Sequence, residues 1–385
     1  MSAIPKYDRA TKSLSLTATS PINIALVKYW GKVHEQLIIP ANSSLSITID
    51  QADLCSKTKV ELIPTAEGAE PQLRLVLNGK EDKITSRIRS IIELMRERTQ
   101  GVRAHDDQGH TLTLDASELR THSLIITSEN NFATASGLAS SSSGLSCLAF
   151  VLSQLYGVSE SFPDEYTKFA RLGSGSACRS LYGGFVQWHR GFQAIQELTE
   201  DSAKVSDQSL ARAVELSQES MEWWYNNLSI LICVVNPGDA QTYQKDVPST
   251  DGMKITLETS ELMKLRLEAD LAQKHIDQLT GYLEERDFPK FAELTMKESN
   301  QLHAVCLDTY PPIFYMNETS RQIIKTATKL NGQGNIVAYS IDAGFHVFLF
   351  TLKENQVKVH EAMSVLPGID QIIITRIGRE GVKLI

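Results

Sequence analysis

The amino-acid sequence predicts an α+β protein of two lobes. Three observations carry this. Stretches of period-two hydrophobicity alternate with stretches of helical period along the chain, which argues against an all-α or all-β fold. The chain has 385 residues, two to three times the usual domain size of about 150. A polar, weakly periodic stretch at residues 189–206 separates two such series, so the expected domains are 1–190 and 191–385.

Residues 13–64 read mainly as strands. Leu14, Leu16 and Ala18 alternate with polar residues, and residues 44–50 alternate around β-branched Ile47, Thr48 and Ile49. Residues 73–77 form a further strand, followed by Asn78-Gly79, a favoured hairpin turn. Residues 84–98 are helical, because Ile84, Ile88, Ile91, Ile92 and Met95 share one face. Residues 99–110 read as a charged loop, and 111–114 and 123–128 as strands. A Gly/Ser-rich turn at 136–144 opens an apolar helix running through Tyr156, and another helix covers about 163–172. A second Gly/Ser turn with a short helix spans 173–180, and residues 184–188 return as a strand. The second half shows helical stretches near 207–225, 257–285, 287–303 and 319–330. Strands at 228–235, 336–341, 346–352 and 370–377 interleave with them.

Composition narrows the function. Hydrophobic residues at 42% and charged residues at 22% exclude general disorder. A formal net charge of −8 disfavours a nucleic-acid partner, which needs a basic face. It leaves room for an anionic ligand if a few cations are gathered in one cleft. No stretch approaches the roughly 18 apolar residues of a membrane span, so no membrane partner is expected. The five cysteines are scattered with no CxxC, which indicates neither a zinc ribbon nor a disulfide scaffold. The expected localisation is cytoplasmic. Lys6, Arg9 and Lys12 near the start are the one hint of an organellar alternative.

Four segments carry chemistry. Ser136-Gly137-Leu138-Ala139-Ser140-Ser141-Ser142-Ser143-Gly144 follows a strand and opens a helix. Glycines let backbone approach a ligand, and the helix start offers free N–H groups to a phosphate. Taken alone, the segment reads equally as a Ser-rich helix cap. Gly173-Ser174-Gly175-Ser176-Ala177-Cys178-Arg179-Ser180 is a second such turn, with an arginine fork suited to carboxylate or phosphate. In residues 21–32 an apolar strand runs into Lys28, Tyr29, Trp30, Gly31 and Lys32. A helical reading of that end puts both lysines on one face; a strand-and-turn reading puts them at a strand exit. Asp342, at a strand end before Ala343-Gly344, can orient or deprotonate a hydroxyl. Trp223-Trp224-Tyr225 reads as core, and His303 with Cys306 is too small a set for a metal site.

Together these segments resemble the GHMP kinase superfamily and, within it, the diphosphomevalonate decarboxylase family. The resemblance covers nearly the whole chain. It rests on residues 23–32, 42–46, 130–144, 173–184, 249–253, 306–317 and 342–344. It implies an N-terminal lobe with a left-handed-type βαβ phosphate-binding unit, a ferredoxin-like C-terminal lobe and an active site between them. The implied reaction is ATP-dependent decarboxylation of (R)-5-diphosphomevalonate to isopentenyl diphosphate, by a homodimer. ATP is the implied co-substrate, with Mg²⁺ on its phosphates and Ser141 as a candidate ligand.

Residue by residue, Asp342 matches the family's catalytic acidic residue, which orients or deprotonates the 3-hydroxyl, and Arg179 the arginine on the substrate carboxylate. Lys28 matches the lysine near the transferred phosphoryl group. Asn23 matches an asparagine that helps hold Arg179 and the carboxylate, and Ser141 the phosphate-loop serine. Gly137, Leu138, Ala139, Ser140, Ser142 and Gly144 match the ATP-phosphate loop. Tyr29, Trp30, Gly31, Lys32, Arg87, Ser174, Gly175, Ser176, Ala177, Cys178 and Thr250 match the substrate site. Two departures stand out: Phe345-His346 where the family usually has Pro-Asn, and Ala133 where it has Pro. A kinase that stops after phosphorylation and a ligand sensor on the same fold are the competing readings. Arg179 speaks against the first, and Lys28, Asp342, Arg179 and Ser141 together speak against the second.

Overall fold

The structure is a computed structural model and describes residues 4–132, 140–236 and 246–385. The N-terminal lobe is a mixed sheet with helices on one face. Its order is Thr111–Leu114, Val102–Asp106, Lys6–Asp8, Ser13–Pro21, Cys55–Ile63, Ser123–Asn130, Leu73–Leu77 and Lys80–Asp82. The central pairing, Leu14 with Leu62 and Leu16 with Val60, stacks the apolar alternates on one face. Helices Ser86–Arg98 and Ser140–Leu155 cover that face with Ile91, Ile92, Met95, Val151, Leu152 and Leu155. Leu75 and Asp82 pair across the hairpin turn at Asn78-Gly79.

A second sheet, ordered Ala211–Ala213, Phe185–Trp188, Ser44–Thr48 and Asn23–Val27, lies deeper. Ser44–Thr48 alternates apolar and polar residues as expected, yet both of its faces are buried. Leu45 and Ile47 enter a core shared with Ile276, Leu279, Phe291 and Phe350 of the second half. The polar alternates are satisfied by hydrogen bonds: Thr48 Oγ1 donates to the Tyr182 carbonyl at 2.8 Å, and Ser44 Oγ accepts from Arg179 at 2.8 Å. A strand that looks half-exposed is therefore the seam between the lobes.

The C-terminal sheet is ordered Val337–Ser340, Val347–Leu352, Leu228–Val235 and Ile369–Thr375, all antiparallel. Along the chain, helices fill the connection from Leu228–Val235 to Val337–Ser340, and helix Gln356–Ser364 the one from Val347–Leu352 to Ile369–Thr375. This is the ferredoxin-like arrangement. Leu228–Val235 is buried along its whole length, as a central strand must be. Trp224 is also fully buried and donates its indole N–H to the Leu283 carbonyl at 2.7 Å, a core residue as the sequence indicated.

Several elements differ from the sequence expectation. Residues 99–110 are not simply a charged loop: Val102–Asp106 is a strand whose Val102, Ala104 and Asp106 point inward. Its alternate positions Arg103 and His105 hide that pattern. The expected helix at 207–225 is the strand Ala211–Ala213 followed by helix Gln218–Asn227, which begins where the Ser217 side chain caps Ser220 N–H. The expected helix at 257–285 is interrupted: Glu261–Glu268 starts on a Ser260 cap, and Leu271–Glu285 begins after Asp270 at φ 47°. Helices Ala116–Thr121 and Gln356–Ser364 were not anticipated.

The chain end returns to the first lobe. Lys383 and Leu384 pair antiparallel with Thr19 and Ala18. On the way the backbone passes tightly over the end of the short helix Gly175–Leu181. A Cβ on Gly183 would stand 2.3 Å from the Arg379 carbonyl carbon, and one on Gly381 would stand 2.0 Å from the Leu181 carbonyl oxygen. Gly183→Ala should therefore destabilise by about 1–3 kcal/mol, as overpacking does. A thermal melt showing a lowered Tm checks this.

Candidate active site

Strand Asn23–Val27 runs through the interior and ends at Lys28, so the strand-exit placement holds for this lysine. Its ammonium is buried and uses all three hydrogens. It donates to the Ala25 carbonyl at 2.9 Å, to Ser340 Oγ at 2.6 Å and to Asp342 Oδ1 at 2.7 Å. The Lys28 main chain is held too: its N–H donates to Glu298 and its carbonyl accepts from Asn42 at 2.9 Å. Burial pushes the Lys28 pKa down, and the Asp342 carboxylate opposes that by favouring the charged form.

Asp342 follows strand Val337–Ser340 and is the more open partner, with 42% of its side chain exposed against 3% for Lys28. A tight turn holds it, in which Gly344 N–H donates to the Asp342 carbonyl at 2.7 Å. The unusual Phe345-His346 pair is anchored on both sides. Ser320 Oγ donates to the Phe345 carbonyl at 2.7 Å, and Val235 N–H donates to His346 Nδ1 at 3.0 Å. His303 lies beneath this turn, and burial pushes its pKa down to about 4, so it is neutral at neutral pH.

Arg179 comes from the helix Gly175–Leu181 and is fully embedded. Its Nε donates to Asn23 Oδ1 at 3.2 Å and its Nη1 to Ser44 Oγ at 2.8 Å. Asn23 is locked in turn, donating to Ser180 Oγ at 2.8 Å and to the Ser176 carbonyl at 3.1 Å. Among the described residues Nη2 makes no such bond. The guanidinium is thus fixed at one edge while its other amino group stays available to a carboxylate.

These groups meet in one cavity of about 540 Å³ between the lobes. Asp342, Arg179, Lys32 and Arg87 all line it. Four helix starts also line it, through Ser86, Ser141, Gly175 and Ser249. Each start carries unpaired N–H groups and positive dipole, so an acidic chain acquires a cationic cleft. Lys32 is itself buried and pairs with the more exposed Glu35 at 3.0 Å. Tyr29 packs against Trp188 with ring centroids 4.7 Å apart and planes tilted by 55°, and its buried hydroxyl has no partner among the described residues. A Cβ on Gly175 would come within 2.7 Å of that hydroxyl, which explains a glycine there.

The structure brings together most of the residues marked by the sequence. Tyr29, Trp30, Lys32, Arg87, Ser141, Ser174, Gly175, Ser176, Arg179, Thr250 and Asp342 line the cavity. Asn23 and Lys28 stand directly behind Arg179 and Asp342. Gly31 packs against Leu257 outside the lining, and Ala177 and Cys178 are buried beneath it, shaping the turn. Ser142 is buried and Gly144 lies over Ser56, both inside the helix. Ser140 opens that helix, and Gly137, Leu138 and Ala139 lie outside the described residues. Sequence reasoning missed Thr85, Ser86, Ser249 and Ser340. Thr85 caps the helix Ser86–Arg98 by accepting Ile88 N–H at 3.3 Å, a signal readable as Thr-Ser before an apolar helical run.

A ferredoxin-like lobe against a mixed-sheet lobe, with helix starts and cations around one carboxylate, defines a phosphoryl-transfer enzyme of the GHMP kinase type. A family model described as the diphosphomevalonate decarboxylase-like N-terminal domain matches residues 20–203. One described as the mevalonate 5-diphosphate decarboxylase C-terminal domain matches residues 230–378. The chain belongs to the diphosphomevalonate decarboxylase family. The diphosphomevalonate decarboxylase of Rattus norvegicus is 40% identical over 347 residues, which is 89% of this chain and 78% of the relative. The solved mevalonate diphosphate decarboxylase of Trypanosoma brucei superposes with a TM-score of 0.78 at 30% identity, over 96% of this chain and 98% of that one. A structure of MDDEF in complex with MVAPP, AMPPCP and magnesium superposes with a TM-score of 0.77 at 30% identity, over 97% and 99%.

Two outcomes follow from this geometry. Arg179→Lys keeps the charge but loses the fixed fork, and should raise KM and lower kcat, together more than about tenfold in kcat/KM. Gly175→Ala drives a methyl into Tyr29 and should weaken substrate binding while leaving the melting temperature within a few degrees. Steady-state kinetics beside a thermal melt checks both.

Proposed function

We propose that this protein decarboxylates (R)-5-diphosphomevalonate with ATP, giving isopentenyl diphosphate, CO2, ADP and phosphate. The observation that carries this is the placement of Asp342, paired with buried Lys28, and of buried Arg179 in the wall of one cationic cavity. A base for a hydroxyl and a clamp for a carboxylate are what a phosphorylating decarboxylase needs side by side. A kinase that leaves the carboxylate in place has no need of the clamp.

In this reading Asp342 accepts the proton of the tertiary 3-hydroxyl as that oxygen attacks the γ-phosphorus, whose bond to the β,γ-bridging oxygen breaks to release ADP. Lys28 holds Asp342 oriented, and its buried charge faces the transferred phosphoryl group. The carbon–oxygen bond to the new phosphate then breaks. The electrons of the carboxylate–carbon bond form the double bond, and CO2 departs. Arg179, fixed by Asn23 and Ser44, keeps the carboxylate aligned with the breaking bond. Lys32, Arg87 and the helix starts at Ser86 and Ser249 receive the diphosphate.

Ser141 at the start of helix Ser140–Leu155 holds the nucleotide phosphates. The donor at hand there, the Ser141 hydroxyl, is a hard oxygen that suits magnesium arriving on phosphate. Magnesium would supply charge neutralisation for the transferred phosphoryl group. We assign the enzyme to the cytoplasm and to a homodimer on the strength of its family. Among the described residues no helix is long and apolar enough to cross a membrane.

The direct test measures ATP-dependent release of labelled CO2 from carboxyl-labelled diphosphomevalonate, with mevalonate and its monophosphate as controls. Release from the diphosphate alone is expected; a stable 3-phosphorylated product without CO2 overturns the reading. Asp342→Asn should lower kcat by about 10²–10⁴-fold with an unchanged circular dichroism spectrum.

A further inference from the structure

One turn of helix Phe288–Asp308 holds the main chain at Lys28 and at Ile341, the residue beside Asp342. Glu298 is completely buried, and its Oε2 accepts the main-chain N–H of Lys28 at 3.0 Å. The next residue, Ser299, is also buried. Its Oγ accepts the main-chain N–H of Ile341, the residue before Asp342, at 3.0 Å. Asn300 Oδ1 then accepts the Tyr339 hydroxyl at 3.0 Å on the same strand. Lys28 and Asp342 lie 314 positions apart in the chain. Adjacent residues of one rigid element hold the backbone on each side of their ion pair.

Glu298 is not an incidental buried acid. Arg266 meets it with two parallel bonds, at 2.9 and 2.7 Å, and His275 Nδ1 bonds its Oε1. Helices Glu261–Glu268, Leu271–Glu285 and Phe288–Asp308 thus converge on one carboxylate. These partners outweigh burial, which alone would raise its pKa, and hold the carboxyl below the usual range. Stability does not account for the cluster, since apolar side chains of similar volume often serve a core as well as a buried ion pair. What apolar side chains cannot do is accept the Lys28 N–H.

We propose that Glu298 and Ser299 are positioning residues, which set the separation and orientation of Lys28 and Asp342 for the reaction. The proposal rests on the reading of Lys28 and Asp342 as the reacting pair. Glu298 has a second effect, through charge. The groups that act on the Lys28 ammonium are Asp342 and Glu298, which favour its charged form, and Arg179, which opposes it. His303, neutral at neutral pH, faces the same pair. Removing the Glu298 charge makes Lys28 easier to deprotonate, so activity is lost at lower pH on the alkaline side.

The test compares Glu298→Gln, Ser299→Ala and Ser299→Thr in the full-length enzyme, with Asp342→Asn alongside. Readouts are kcat, KM for each substrate, the pH profile of kcat and the melting temperature. Both Glu298→Gln and Ser299→Ala should lower kcat by about 10- to 100-fold, as small misplacements do, with each KM within about threefold of the parent. Ser299→Thr, which keeps the hydroxyl, should recover most of the loss. The alkaline limb should move to lower pH in Glu298→Gln and stay in place in Ser299→Ala. A lowered melting temperature with kcat within twofold of the parent in Ser299→Ala overturns the proposal, and that variant decides the matter if Glu298→Gln does not fold. Full activity in Asp342→Asn overturns the underlying reading instead.

Discussion

The ion pair between Lys28 and Asp342 requires two strands from opposite halves of the chain to meet in a place with little water. Lys28 ends a strand of the seam sheet and Asp342 follows a strand of the C-terminal sheet. A lysine buried without a partner would give up its charge. Asp342 favours the charged form of Lys28, and Ser340 and the Ala25 carbonyl take the remaining ammonium hydrogens. The lobes must therefore dock in one register. The shared core of Leu45, Ile47, Phe291 and Phe350 and the return of Lys383–Leu384 to the first sheet both enforce it.

The same constraint resolves the apparent conflict between net charge and ligand. A chain of net charge −8 binds a multiply anionic substrate through local electrostatics. Lys32, Arg87 and Arg179 supply full charges around the cavity, and four helix starts supply partial ones. Fixed dipoles and embedded cations in a half-closed site act more strongly than the same charges in water. The excess acids elsewhere lie largely on the surface, where solvent and salt screen them.

Arg179 shows how much support one functional group needs. The guanidinium is buried, and burial alone pushes its pKa down. Asn23 and Ser44 occupy its inner edge, and Asn23 is itself tied to Ser176 and Ser180 of the neighbouring turn. On the polar face of the seam strand Ser44 serves this purpose, while Ser46 and Thr48 donate to the Val186 and Tyr182 carbonyls.

Local pattern was enough to identify the α+β class, the central strands and the four chemical segments. Period-two and helical spacing are properties of neighbouring residues, and glycines, serines and cations at a strand exit announce a ligand wherever they fold. Resemblance extended this to roles for Asp342, Arg179 and Lys28. The strand Val102–Asp106 and the broken helix at 257–285 escaped, because charged alternates masked one pattern and single capping residues interrupted the other. The burial of both faces of Ser44–Thr48, the contacts of Ser340 and Glu298 with Lys28, and that of Ser299 with the residue before Asp342 could be decided only by tertiary structure. Those contacts join residues hundreds of positions apart, and a serine or glutamate on a helix carries no local sign of what will be packed against it.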